Sequence, residues 1–101
     1  MVLLTAFIEV LPKDREAIHS ALADVITSTR AEEGCEEYGC YEDTQRPGCY
    51  VFVERWRNQG CPDRHLATSH MAAWMSIAGA KMTSARGFLY NVASTTELRP
   101  R

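Results

Sequence analysis

Two histidines, one carboxylate and a set of large aromatics are the side chains here whose types and spacing could do chemistry. His65 and His70 flank Leu-Ala-Thr-Ser, and Glu54 stands within Cys49-Tyr-Val-Phe-Val-Glu-Arg-Trp56. Imidazole titrates near neutrality, so either histidine could take a proton from a weak acid or donate to a substrate oxygen. A carboxylic acid among aromatic groups is costly unless it is paired, protonated or used. Alternate residues of an extended segment fall on opposite faces, so Tyr50, Phe52, Glu54 and Trp56 point one way and Val51, Val53 and Arg55 the other. Trp56 and Trp74 could sandwich an aromatic ligand, while Tyr38, Tyr50 and Tyr90 offer hydroxyls to a ligand oxygen. Each has a plainer reading. His70 could close a sheet-helix interface, the tryptophans could be core, and Glu54 reads better as a supporting carboxylate held by an arginine such as Arg86 or by backbone amides.

The elements that must position these groups follow from hydropathy period. Leu3 to Val10 alternates, with Leu4, Ala6, Ile8 and Val10 on an apolar face and Thr5, Phe7 and Glu9 on the other, a first strand stopped by Pro12. From about Lys13 to about Glu32 the period becomes helical, with Ile18, Ala21, Leu22, Val25 and Ile26 on one stripe, and Gly34 is its natural stop. Glu37 to Glu42 and Cys49 to Trp56 read as a hairpin around the turn-prone Asp43 to Gly48. Pro62 belongs in the first turn of a second helical segment. On a continuous helix His65 and His70 lie about 140° apart, so they share a pocket only if the helix breaks, with Thr68 or Ser69 as the new N-cap. After the break Met71, Trp74, Met75 and Ala78 align, flanked by His70 and Ile77. Gly79 weakens the helix, which is over by about Thr83, and Gly87 to Ala93 is a fourth strand followed by a polar tail.

This order is an α+β ferredoxin-like βαββαβ arrangement, a four-stranded antiparallel sheet with both helices on one face. A chain of 101 residues, 46% of them hydrophobic, suits one domain over 1–101. Eleven basic and thirteen acidic side chains give a formal charge of -2 with no basic block, which argues against a nucleic-acid partner. The apolar runs are too short for a membrane span and the N-terminus lacks a secretory pattern. Cys35, Cys40, Cys49 and Cys61 match no zinc spacing and read as free thiols of a reducing cytoplasm. No metal ligand set is expected. The uncovered sheet face, carrying Phe7, predicts a homodimer in which two sheets pack face to face.

Arg30-Ala-Glu-Glu-Gly-Cys35, then Tyr38, then Glu54-Arg-Trp56, then His65-Leu-Ala-Thr-Ser-His70 resemble the antibiotic biosynthesis monooxygenase family at matching separations across nearly the whole chain. The resemblance implies dimeric α/β barrels with a ligand cavity between sheet and helices in each subunit. It also implies oxidation of phenols or quinols to quinones by dioxygen with no metal, flavin or haem. On that reading His70 corresponds to the second family histidine and is the first choice of base or donor, with His65 and Glu54 as further catalytic candidates. Trp56 matches a cavity tryptophan; Trp74, Tyr38, Tyr50, Phe52 and Asn91 complete the expected substrate contacts. Phe52 stands where polyketide-oxidising members carry an asparagine that holds the reacting oxygen, so the donor must lie elsewhere, with Asn91 a candidate. Pro62 replaces a common leucine at the rim. A haem-degrading branch needs a first-strand asparagine and a tryptophan and histidine ten residues apart. Here Ala6 and Phe7 occupy the strand and Met75 stands ten residues after His65, which argues against haem degradation. Two rival readings are a proton-transfer enzyme, such as an isomerase, on a small carbonyl metabolite, and a non-catalytic dimeric ligand-binding module.

Overall fold

In the computed structural model, which describes residues 1–100, the elements run β1 (Val2–Val10), α1 (Arg15–Arg30), β2 (Cys35–Glu42), β3 (Cys49–Trp56), α2 (Gly60–Leu66), α3 (Ser69–Ala78) and β4 (Met82–Asn91). The strands form one antiparallel sheet in the order β2-β3-β1-β4. With the helices on one face this is the ferredoxin-like fold expected from the sequence. None of the described helices is long and apolar enough to cross a membrane.

Local chemistry explains the element ends. Pro12 opens a short 3-10 turn, Pro12–Asp14, which leads directly into α1. That turn takes the first residues of the predicted helix, so α1 starts at Arg15 and closes at Arg30. Ile18, Leu22, Val25 and Thr29 form its buried stripe. Gly34, at φ 82°, then turns the chain into β2, and a side chain there would run into Cys61 Sγ. At the end of the hairpin loop Gly48, at φ 86°, brings its amide to Glu42 Oε2 at 2.9 Å.

β2 and β4 begin earlier than their side-chain patterns suggest, because ladder partners decide strand length. Cys35 lies opposite Trp56, and Ser84 and Met82 lie opposite Glu9 and Val10. In α3 only Trp74 and Ala78 are buried, with Met71 partly so, while Met75 and Ile77 face outward. A helix that starts afresh at Ser69 meets the sheet along the 71, 74, 78 row, which leaves Met75 beside it.

The inner face of β3 buries Tyr50, Phe52, Glu54 and Trp56. Phe52, Tyr50, Tyr38 and Trp74 join the α1 stripe in the main core, and Trp56 packs with Val2 and Cys61 in a smaller cluster at the strand's end. On the opposite sheet face Phe7 and Phe88 meet edge to face, with the Arg86 guanidinium 5.8 and 5.5 Å from their ring centres.

Candidate active site

Thr68 breaks the second helical segment. Its backbone is extended, its hydroxyl accepts from the Met71 amide at 3.3 Å, and the same hydroxyl donates to the His65 carbonyl at 2.7 Å. The two bonds end α2 and start α3 within two residues, which brings the two histidines to one place. That place is a single carboxylate oxygen. Glu32 Oε2 lies 2.6 Å from His65 Nδ1 and 2.7 Å from His70 Nε2. A carboxylate oxygen accepts, so each ring nitrogen facing it carries the proton, and the other nitrogen of each neutral ring is left as an acceptor.

His65 is the buried member, 3% exposed, held between the rings of Trp56 and Tyr38 at centroid distances of 5.2 and 5.4 Å. It also lines a cavity of about 150 Å³ between sheet and helices, together with Ala6, Tyr38, Phe52, Glu54 and Trp74, and with Pro62 and Met71 at the helix side. The cavity is therefore apolar apart from three polar groups: His65, the Tyr38 phenol and the Glu54 carboxyl. Burial pushes the Glu54 pKa up, against the opposing effects of the Trp56 indole and His65. Burial, reinforced by Glu54, likewise raises the Tyr38 phenol far above its ordinary value, so it stays protonated.

The holder of Glu54 is Trp56, whose indole N–H donates at 2.9 Å. The expected arginine is elsewhere, since Arg86 belongs to the opposite sheet face. Trp56 itself is wholly buried behind His65 and supports that ring, so it does not form cavity wall, nor does it pair with Trp74, which meets Phe52 edge to face at 5.7 Å. Tyr50 lies away from the cavity, its hydroxyl 2.7 Å from His19 Nε2. Asn91 sits at the end of β4 opposite Val2, beyond the cavity wall, and Tyr90 is exposed. His70 stands on the solvent side of Glu32, does not border the cavity, and meets it through Glu32 and through the His65 ring, 5.9 Å between centroids.

Glu32 escaped the sequence reading although it lies in the Arg30 to Cys35 stretch. Its neighbour Glu33 was chemically equivalent there; in the structure Glu33 is exposed and bonded to Arg57 at 3.1 Å. The usable signal was the pair of histidines, which needs a carboxylate to orient it. The ligating atoms of Glu32, His65 and His70 all lie within 4.8 Å of one another, a donor set suited to a divalent ion, which cysteine spacing could not reveal. A larger hollow of about 310 Å³ at the hairpin end is bordered by Glu9, Arg46 and Glu42. Those charges already pair internally, Arg46 with Glu9 at 2.9 Å and Arg15 with Glu42 at 2.7 Å, so it offers little convergent chemistry.

Fold and site together define a ferredoxin-like domain whose apolar cavity carries a carboxylate-oriented histidine. The chain belongs to the antibiotic biosynthesis monooxygenase family, whose sequence profile matches residues 1–76. YcnE of Bacillus subtilis (strain 168), named as a candidate monooxygenase, is 29% identical over 85 residues, covering 84% of this chain and 88% of its own. Rv0793 of Mycobacterium tuberculosis, also named as a candidate monooxygenase, is 35% identical over 72 residues, covering 71% and 70%. The solved structure of Rv0793 superposes with a TM-score of 0.85 over 95% of this chain and 98% of that one, at 28% identity. A Deinococcus radiodurans structure described as a candidate antibiotic biosynthesis monooxygenase shares the fold at a TM-score of 0.90 and 22% identity, over 99% and 100% of the two chains.

Proposed function

We propose that this domain is a cofactor-independent monooxygenase that oxidises a small phenol or quinol-like ring with dioxygen, with His65 as base and Glu32 as its orienting carboxylate. The carrying observation is the 2.6 Å contact of Glu32 with His65 Nδ1, on a ring that also lines the cavity. The contact keeps the proton on Nδ1 and leaves Nε2 as the acceptor, the arrangement by which a carboxylate prepares an imidazole for proton abstraction. A phenol losing its proton to Nε2 becomes a phenolate, which gives an electron to oxygen far more readily. Recombination of the phenoxyl radical with superoxide, together with the proton held by His65, forms a ring hydroperoxide; its O–O bond and the C–H bond at the same carbon then break, releasing water and leaving the quinone. For the parent ring the balance is simple: one phenol and one dioxygen give one benzoquinone and one water, with the ring oxidised and the oxygen reduced. The Tyr38 phenol, kept protonated by burial, serves as donor to the oxygen that becomes anionic, the task for which Phe52 has no group. The apolar wall excludes water from the radical pair.

Size supports the ligand class: about 150 Å³ is the order of volume that accommodates benzene. We further propose that the domain works as a homodimer, sheet to sheet, covering Phe7 and Phe88. The four free thiols fit a reducing cytoplasm as its place of work.

The test is oxygen uptake with a panel of one-ring phenols and hydroquinones. Turnover should fall at least about 10²-fold in His65→Ala, the scale of a lost general base. Turnover should also fall in Glu32→Gln while the fold is kept, since the amide no longer holds the His65 tautomer. No turnover above buffer across the panel overturns the reading. Turnover that persists without oxygen would favour proton transfer on a carbonyl metabolite, for which the same oriented histidine would serve.

A further inference from the structure

We infer that Glu32, His65 and His70 form a binding site for one borderline divalent cation such as Zn2+, and that the bound cation turns the cavity-side nitrogen of His65 from acceptor to donor. The second half rests on the proposed role of His65; the binding site does not.

The donor set is two imidazoles and one carboxylate, all standard zinc ligands. Their ligating atoms already converge within 4.8 Å, and the two nitrogens stand 2.6 and 2.7 Å from the same oxygen. Tetrahedral ligands on bonds of about 2.0–2.1 Å lie roughly 3.3 Å from one another, so the oxygen and nitrogens need to part by well under 1 Å. The frame around them is fixed. His65 is clamped by Trp56 and Tyr38, and Thr68 fixes the angle between the helices that carry the two histidines. Glu32 and His70 are only partly buried, at 14% and 20% exposure, which leaves a route for an ion and room for water as a fourth ligand.

The consequence follows from imidazole chemistry. A neutral ring holds one proton. When a cation takes the Nδ1 lone pair of His65, that proton resides on Nε2, the atom proposed to receive the proton of the substrate. No bond to substrate and no electron transfer is involved; the tautomer alone changes. Zn2+ should therefore occupy the orienting site and silence the base from behind.

Calorimetry of chelator-treated, dialysed protein with Zn2+ should show one saturable site per chain. The affinity should fall by more than about tenfold, the lower end of what losing even an outer partner of a metal ligand costs, in both Glu32→Gln and His70→Ala. It should be unchanged in His19→Ala. Long-range 1H–15N spectra should report His65 as Nδ1–H before Zn2+ and Nε2–H after it. Co2+, as an optical probe, should give d–d bands without a near-ultraviolet thiolate band. No saturable binding, binding equal in Glu32→Gln and His70→Ala to that of the parent, or a thiolate band from a cysteine would each overturn the site. Loss of turnover in His65→Ala without any Zn2+ binding would overturn the site and leave the catalytic reading standing alone. Zn2+ that binds as described without changing the His65 tautomer would overturn the switch.

Discussion

The Glu42 carboxylate is gripped from two sides, by both nitrogens of the Arg15 fork at 2.7 and 2.8 Å and by the Gly48 amide at 2.9 Å. The hydrogen bonds from the Arg15 guanidinium and then the Gly48 amide hold its carboxyl down to about 2, from an ordinary 4.5. Because its folded value lies below its unfolded one, its stabilisation is complete above 4.5 and drains away as pH falls toward 2. Acid titration of stability, followed by circular dichroism, should therefore show a shallower loss between those values in Glu42→Gln than in the parent chain. Burial acts the other way on Cys40, whose thiol is pushed up to about 12 and so stays protonated at neutral pH. At the site itself, the two histidines and Glu54 were identifiable from side-chain chemistry, and the need for a helix break followed from angles. Which acid the histidines share was not, because it depends on contacts across 33 and 38 residues that exist only once α1 packs against α3. Glu54 was suspected for the right physical reason, burial, but its partner is Trp56, two residues along its own strand face, and not an arginine.

At the level of elements, strand and helix types were legible because period and turn residues agreed with each other: alternation in β1 and β3, a 3.6-residue stripe in α1, glycines where the backbone turns left. Ends were less legible, since Met82 and Cys35 join strands through partners across the sheet and not through their own patterns. The Thr68 break is the element feature on which the site depends. Losing its hydroxyl removes the cap of α3 and the tie to His65 together, so Thr68→Ala should lower unfolding free energy by about 1 kcal/mol, measurable by denaturant titration. The same variant should weaken the His70 to Glu32 contact before that of His65. The imidazole resonances of His70 should broaden or shift first, whereas a Thr68 that served packing alone would leave both rings alike.

For the whole molecule, the uncovered sheet face carries the oligomer proposal. Phe7 and Phe88 are each about 40% exposed around the Arg86 guanidinium, a patch whose apolar area finds no cover within the described residues. Light scattering at micromolar concentration should give twice the chain mass, and Phe7→Glu, which sets a charge at the centre of that face, should return it to a single chain. A single-chain mass for the parent would refute the arrangement. The strand order has a further consequence, in time. β1 lies between β3 and β4, so the strand made first waits for Cys49–Trp56 on one edge and Met82–Asn91 on the other before its backbone is paired on both sides. Both ladders join residues far apart in the chain, which raises contact order and slows folding relative to helical proteins of this size. Until the last strand docks, one edge of β1 remains open for pairing with another chain, so crowded refolding is where this protein is most exposed to aggregation.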